Sequence, residues 1–370
     1  MVSVKKSKKV KERKEKIFVP TEKLSEVLER LSGHFEVWVP VLSMNDGWTV
    51  EFKPFVAGCE PFLDRQSTMP PKRVILPQGE TLIFYEYVKN PDDPSKQDLV
   101  IRETISAGKT LVFGSRPCDV RGFSICDWVF LRGPHVDVYY KSRRENTVFA
   151  TLVCQEDDEA CFCSSVGSGP GDMEGSDIRV TLINDGLVME ALTEKAFDVI
   201  SLCECNSPTD DQLEEIQRIQ DEVKNRVVGS LDVKGSVEAI KGQFQNMELW
   251  RDIAESCLSC GVCTYVCPTC YCFTITDEPQ GLKGERLRSW DSCMFHQYTQ
   301  EASGHNPRPT KLERYRNRLG HKFCYFPLRY GGIIACCGCG RCIRSCPVSI
   351  DIRQAVERVK EVHNNACVCA

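Results

Sequence analysis

Cysteine spacing is the strongest chemical signal in this sequence. Residues 257–268 read CLSCGVCTYVCP, and residues 336–347 read CCGCGRCIRSCP. Each stretch places cysteines at intervals of three, three and four residues and ends on proline. Thiolates at this spacing are typical ligands of a cubane iron–sulfur cluster, so two copies predict two 4Fe-4S clusters.

The fourth cysteine of each run is expected to serve the other cluster. It lies about one helical turn beyond the third cysteine and faces away from its own cluster. We therefore assign Cys257, Cys260, Cys263 and Cys346 to cluster 1, and Cys336, Cys339, Cys342 and Cys267 to cluster 2. The alternative is structural zinc, but zinc sites usually bring two separated cysteine pairs rather than an evenly spaced run closed by Cys-Pro.

Further cysteines suggest another site in the first half of the chain. We hypothesise a third 4Fe-4S cluster held by Cys118, Cys154, Cys161 and Cys163, because these residues lie at or just after the ends of predicted strands. Ordinary buried thiols are the alternative, and Cys126, Cys203 or Cys205 could replace one of the four. Cys270, Cys272 and Cys293 could be ligands, but we favour thiols that pack beside the clusters or donate weak S–H contacts that tune their potential. Cys59, Cys337, Cys367 and Cys369 receive no role.

Motifs for binding or converting an organic substrate are missing. The stretch 167–171 reads GSGPG, but its proline and the lack of a following helical pattern contradict a dinucleotide-binding turn. We find no Walker A run, no Ser-His-Asp arrangement and no zinc-protease spacing of histidines. The sequence therefore predicts no flavin or nicotinamide on this chain, and an electron carrier that is not itself catalytic.

Composition and charge narrow the class of protein. The 370-residue chain contains 23 cysteines, no secretory signal and no apolar run long enough to cross a bilayer, so we expect a cytoplasmic protein with no membrane contact. Residues 1–16 carry a net charge of +6 and are expected to form a disordered basic tail. The remaining residues therefore carry a net charge of −11. That balance argues against nucleic-acid binding.

The segment between the two cysteine runs is rich in basic residues. They either neutralise the clusters and pair with nearby acids, which we favour, or form a docking surface for an acidic partner. The residues are Lys283, Arg286, Arg288, Arg308, Lys311, Arg314, Arg316, Arg318, Lys322 and Arg329.

Hydrophobic periodicity and turn residues predict the regular elements. Strands are expected over residues 35–41, 48–55, 109–114 and 148–154, with a hairpin over 177–192 around an Asn-Asp-Gly turn. Helices are expected over 21–31, over 209–227, around residues 249–253 and after Pro347. Prolines predict an extended segment over 69–77.

These elements predict an α+β protein. A mixed α/β domain over residues 17–245 is followed by a helical, two-cluster ferredoxin-like domain over 246–370 with a long insertion between its cysteine runs. Glycines at 229, 235 and 242 mark the region of the boundary.

Several short motifs resemble those of one protein family over nearly the whole chain. They are Pro70-Pro71-Lys72, Arg116-Pro117-Cys118-Asp119, Tyr139-Tyr140, Cys161-Phe162-Cys163, Cys267-Pro268-Thr269-Cys270-Tyr271-Cys272-Phe273, Trp290-Asp291-Ser292-Cys293, Asn306-Pro307-Arg308 and His321-Lys322, with the second cysteine run. Together they resemble the two-cluster iron–sulfur subunits typified by the beta subunit of cytoplasmic nickel–iron sulfhydrogenases. The corresponding iron–sulfur subunits of anaerobic sulfite reductase and of flavin oxidoreductase–heterodisulfide reductase assemblies belong to the same group.

This resemblance implies an electron-transfer subunit. It would relay single electrons between a flavin subunit that reacts with NAD(P)H and a hydrogenase, heterodisulfide reductase or sulfite reductase partner. The alternative is a redox-sensing or scaffold protein whose clusters are structural.

Overall fold

The computed structural model describes residues 15–105 and 108–368. The predicted basic tail lies almost entirely outside these residues. In the described part the strands are β1 Lys16–Pro20, β2 Glu36–Leu42, β3 Val50–Pro54, β4 Gly79–Lys89, β5 Gln97–Glu103, β6 Thr110–Ser115, β7 Thr147–Leu152, β8 Ile178–Ile183, β9 Gly186–Ala191, β10 Phe273–Gln280 and β11 Lys283–Trp290.

The helices of the described part alternate with these strands and dominate the C-terminal third. They are α1 Leu24–Ser32, α2 Lys72–Ile75, α3 Pro117–Phe130, α4 Val138–Asn146, α5 Glu194–Leu202, α6 Asp210–Asn225, α7 Ser236–Gly242, α8 Met247–Ala254, α9 Val262–Tyr265, α10 Lys311–Gly320, α11 Phe326–Arg329, α12 Arg341–Arg344 and α13 Ile352–Val368. A short π-helix, His321–Tyr325, joins α10 to α11. The predicted α+β class is confirmed.

A seven-stranded mixed sheet forms the N-terminal core. Its order is β1-β9-β8-β7-β6-β2-β3, with parallel pairing from β2 through β6 and β7 to β8. Strands β6 and β7 are buried along their whole length, as expected for strands covered on both faces. Alternate residues serve two cores: Leu111 and Phe113 pack with α1 and α5, whereas Val112 packs with α3 on the opposite face.

The predicted strands, the hairpin and the predicted helices are confirmed, but the predicted extended segment over 69–77 is wrong. Residues Lys72–Ile75 form a single helical turn, α2, with Pro71 at its N-cap position. A proline just before or at the first helical position costs little, because its missing N–H would have no partner inside the helix.

A second sheet was not predicted. Its four antiparallel strands have the order β10-β11-β4-β5, so the hairpin of the segment between the cysteine runs adds to strands from the first part of the chain. Sequence reasoning placed a domain boundary near residue 245, and that division stays a prediction. The sheet shows that the two parts are joined through backbone pairing.

The C-terminal helices form the remaining core. α7, α8, α10 and α13 pack together around Trp250, Leu319 and Phe323, and cysteines of both runs border this core. The helical bundle therefore supports the loops that carry the cysteines.

Candidate metal centre

The two cysteine runs fold into the same local structure. In each run a glycine with a left-handed backbone, Gly261 or Gly340, precedes a single helical turn, α9 or α12. A side chain at Gly261 would approach the Phe295 ring to 2.6 Å, and one at Gly340 would approach the Ala160 carbonyl to 2.7 Å. Glycine is therefore required on both steric and conformational grounds.

The first predicted ligand set is brought together around one cavity. The cavity is lined by Cys257, Cys260, Cys263 and, from the second run, Cys346, together with Cys342. Backbone N–H groups already point at two of these sulfurs: Ser259 donates to Cys257 over 3.4 Å, and Ile350 donates to Cys346 over 3.3 Å. The structure thus places Cys346 with the first run, and the binding of a cluster by these four cysteines stays a prediction.

Two buried donors in this cavity have no acceptor. Tyr315 and Arg318 line it, and the Tyr315 hydroxyl and Arg318 Nε find no hydrogen-bond partner among the described residues. Arg318 is 3% exposed, and no carboxylate in the described part of the chain pairs with it. Buried donors without acceptors are unfavourable. An anionic, sulfide-rich group would satisfy both, so these residues fit an iron–sulfur cluster.

The second predicted set lies deeper. Cys267, Cys336 and Cys339 are buried, and Cys342 interacts electrostatically with both Cys339 and Cys267. Burial raises the pKa of the Cys336 thiol to about 12. Hydrogen bonding from the Cys270 thiol, with the Lys322 ammonium nearby, instead holds the pKa of Cys267 well below its usual range.

Lys322 is the main cation of the second set. Its ammonium is 3.4 Å from Cys267 Sγ and donates to Thr269 Oγ1 over 2.7 Å and to the Ala335 carbonyl over 3.1 Å. The side chain is 3% exposed. A buried cation with no carboxylate beside it in the described residues suits a site whose ligands are thiolates.

The third predicted set is gathered at the edge of the second. Cys163 interacts electrostatically with Cys154 and Cys161, and Cys118 interacts with Cys154. The Phe162 N–H donates to the Gly338 carbonyl over 2.8 Å, which holds this loop against the second run. Whether these thiols bind a cluster stays a prediction.

None of the proposed replacements joins the third set. Cys126 lies against the Pro268 carbonyl, 3.7 Å away, in the core under α3. Cys203 and Cys205 belong to the core on the other face of the seven-stranded sheet.

The described residues contain no preformed site for a single ion. Within residues 15–105 and 108–368, no three His, Cys, Asp or Glu side chains are grouped so that they could hold one metal ion. Tetrahedral zinc would need its thiolates at about 2.3 Å from one centre.

Most of the basic residues between the runs have structural partners. Arg314, Arg318 and Lys322 are buried around the cysteines.

Three other basic residues of this segment form ion pairs. Arg288 is buried and pairs with Glu80 at 2.5 Å. Lys283 pairs with Glu86 at 3.0 Å, and Arg286 pairs with Asp277 at 2.8 Å. The predicted pairing with nearby acids is therefore confirmed for Arg288, Lys283 and Arg286. Neutralisation of the clusters and the alternative of a docking surface stay predictions.

Two buried cations near the cysteines were missed by sequence reasoning. Lys72 donates to the Cys267 and Cys270 carbonyls over 3.2 and 3.0 Å, and its ammonium lies 3.9 Å from the centre of the Trp290 ring. Burial lowers the pKa of Lys72. The Pro-Pro-Lys motif marked this residue, but nothing in the sequence indicates its partners.

Arg341, inside the second run, is the other missed cation. It is 1% exposed and forms a 2.6 Å ion pair with Asp119 at the start of α3. The pair joins the second cysteine run directly to the N-terminal sheet domain, next to Cys118 and Cys339.

Comparisons with known proteins agree with this centre. A family model described as a 4Fe-4S dicluster domain matches residues 256–350, which contain both cysteine runs. The chain is 30% identical over 347 residues to the sulfhydrogenase 2 subunit beta of Pyrococcus furiosus, covering 92% of this chain and 97% of that protein. No solved structure matches the chain. No helix of the described residues is long and apolar enough to span a membrane.

Proposed function

This chain belongs to the sulfhydrogenase beta subunit family, and we propose that it is the iron–sulfur electron-transfer subunit of a multi-subunit redox complex. The observation that carries this proposal is the exchange of cysteines between the two runs. Cys346 of the second run lines the cavity of the first set, and Cys267 of the first run lies within the second set.

The two ligand sets are close neighbours. Cys342 borders the cavity of the first set and also interacts electrostatically with Cys339 and Cys267 of the second. Arg318 interacts with Cys263 and Cys342, so one buried cation serves both sets. When bound, each cluster would supply a one-electron carrier of low reorganisation energy. The protein's part is to hold two such carriers side by side.

The two sets differ in their access to solvent. Cys260 is exposed, and Leu258, two residues before it, is 64% exposed, so the first set reaches the surface. Cys336 and Cys339 of the second set are buried. We propose that one partner exchanges electrons at the Leu258 loop. A second partner would be served from the other end of the centre, where Cys161 of the third set lies beside the exposed Asp158.

The partners in this proposal are of two kinds. One is a flavin subunit that reacts with NAD(P)H, and the other is a hydrogenase, heterodisulfide reductase or sulfite reductase subunit. The complex would act in the cytoplasm, and this chain would bind neither flavin nor nicotinamide. Anaerobic co-purification of the native complex, with identification of its subunits and assignment of its flavin, tests this part of the proposal.

Iron quantitation and spectroscopy test the cluster assignment. About eight irons per chain correspond to two clusters, and about twelve would support the third set. Replacing Cys260 or Cys339 by serine is expected to remove one cluster signal each from the paramagnetic resonance spectrum of the reduced protein. Cys59→Ser serves as the matched control, because Cys59 lies outside all three sets.

Reversibility separates electron transfer from the structural alternative. An electron carrier must be reduced and reoxidised repeatedly without losing iron. Clusters that cannot be reduced without unfolding of the chain would instead indicate a scaffold or sensing role and overturn the proposal.

A further inference from the structure

Two cysteines outside the three predicted ligand sets lie next to each other. Cys272 directly precedes β10, and Cys293 follows β11 by three residues. At the base of this hairpin Phe273 pairs with Trp290, and the Asp291 N–H donates to the Cys272 carbonyl over 2.9 Å. The hairpin therefore holds both cysteines at one end of the same ladder.

The Cys293 thiol, the Cys293 backbone N–H and the Tyr298 hydroxyl lie near the Cys272 thiol and lower its pKa. The Cys293 thiol lowers the pKa of Cys272, and the same contact raises the pKa of Cys293. This arrangement favours a thiolate on Cys272 beside a thiol on Cys293.

The pair lies against the two ligand sets. Cys293 interacts electrostatically with Cys263 of the first set, and both belong to the same apolar core. Lys322 contacts Cys267 of the second set, and its positive charge also lowers the pKa of Cys272. Cys293 is buried and Cys272 half-buried, so the pair is largely shielded from external thiols.

We propose that Cys272 and Cys293 form a redox-active dithiol that interconverts with an intramolecular disulfide and stores two electrons beside the iron–sulfur centre. Oxidation forms the bond between the two sulfur atoms and breaks the S–H bond of Cys293. It releases one proton and two electrons, and the reverse step consumes them. The electron acceptors are two oxidised iron–sulfur clusters, each taking one electron, so the inference rests on the proposed function.

A dithiol that stores two electrons would be useful in an electron-transfer subunit. Flavins and nicotinamides exchange electrons in pairs, whereas iron–sulfur clusters carry them singly. A dithiol next to the clusters can hold the second electron of a pair together with a proton. Disulfides in a reducing compartment are typically transient and redox-active.

Thiol mapping on the full-length, cluster-loaded chain tests the inference without any variant. Anaerobic samples are poised over a range of potentials with redox mediators, quenched in acid, alkylated with N-ethylmaleimide and digested without reductant. We expect a peptide linked through Cys272 and Cys293 at high potential and two alkylated cysteines at low potential, with a two-electron transition. Cys324, a buried thiol that donates to the Val237 carbonyl over 3.6 Å, should be alkylated throughout.

Variants distinguish a dithiol from cluster ligands. Cys293→Ser keeps a donor of similar size, and it should abolish the linked peptide while leaving the iron content and cluster spectra of the chain unchanged. Loss of about four irons in Cys293→Ser or Cys272→Ser would make these residues ligands and overturn the inference. So would alkylation of both thiols at every potential.

The same samples separate this inference from the proposed function. If the linked peptide forms reversibly with the mediators while the chain contains no reducible cluster, the function fails and the dithiol stands. If the clusters titrate normally and the linked peptide never forms, the dithiol fails and the function stands.

Discussion

The ion pair between Arg341 and Asp119 offers a direct test of how the cysteine loops are attached to the rest of the protein. The side chains are 1% and 0% exposed and approach to 2.6 Å. Arg341 also donates to the Ser67 carbonyl over 2.7 Å, and Asp119 accepts from the Arg116 N–H over 3.0 Å. Asp119→Asn keeps the shape of the side chain but removes its charge, which leaves a buried guanidinium without a counter-ion.

The size of the effect follows from burial. Breaking a fully buried ion pair by removing one partner costs about 3–5 kcal/mol, because the remaining charge is desolvated and unpaired. A whole domain is typically stable by only about 5–15 kcal/mol. Replacing both residues by apolar ones, Arg341→Met with Asp119→Leu, removes the uncompensated charge. The double variant should therefore lose less stability than the single variants Arg341→Met and Asp119→Leu lose together. We expect this difference, the coupling energy of the pair, to be about 1–3 kcal/mol.

Anaerobic urea unfolding followed by circular dichroism measures these differences. Arg121→Gln provides the control, because Arg121 pairs at 2.9 Å with Glu174, whose side chain is 65% exposed. An ion pair of that kind contributes at most about 1 kcal/mol. If Asp119→Asn were no more destabilising than Arg121→Gln, or if the double variant lost the full sum, the pair would not have the structural role assigned to it.

Three further predictions concern the site and its supports. Arg318→Gln should lower the reduction potentials of both clusters by roughly 40–130 mV in a spectroscopic titration, because a nearby unit charge contributes on the order of 1–3 kcal/mol. Arg329→Gln, at an exposed arginine, is the control. Unchanged potentials in Arg318→Gln would contradict the position of Arg318 between the two ligand sets. Gly122→Ala should destabilise the chain by about 1–3 kcal/mol in urea unfolding, because its new methyl group would meet a proline at 2.5 Å, whereas Gly169→Ala meets nothing. Burial lowers the pKa of His321 from 6.5 to about 4, so stability should fall as the pH drops between these values, and His321→Gln should flatten that dependence in unfolding measurements.

Local patterns were enough to predict the elements whose signal lies within a few residues. The Asn-Asp-Gly turn gives the β8–β9 hairpin, and continuous apolar runs give the fully buried strands β6 and β7. The grouping of Cys346 with the first run was predicted on a different basis, because the fourth cysteine of such a run faces away from its own cluster. The turn and the apolar runs need no knowledge of the distant chain.

The second sheet could not be predicted in the same way. β4 pairs with β11, which lies almost 200 residues later in the sequence, and many residues of β5 and β10 are exposed. No alternation of buried and exposed residues therefore marks these strands. The helical turn at 72–75 was missed because two prolines before it were interpreted as signs of extended backbone, although a proline is tolerated where a helix begins.

The outer part of the site depends on tertiary contacts. In the sequence, Arg341 is one more basic residue in a cysteine run. Only the fold shows that it forms an ion pair with Asp119 of α3. Lys72 is likewise more than 190 residues from the carbonyls that it binds. Partners for buried cations cannot be derived from spacing, since any of many distant acids or carbonyls would satisfy them.

The most direct test of the proposed function is a spectroscopic redox titration of the anaerobically purified chain, combined with iron and sulfide quantitation. Two reversible one-electron transitions, with about eight irons in the two C-terminal clusters, are the expected result. Each transition should be lost separately in Cys260→Ser and Cys339→Ser. A colourless chain that binds zinc and accepts no electrons would contradict both the clusters and the electron-transfer role.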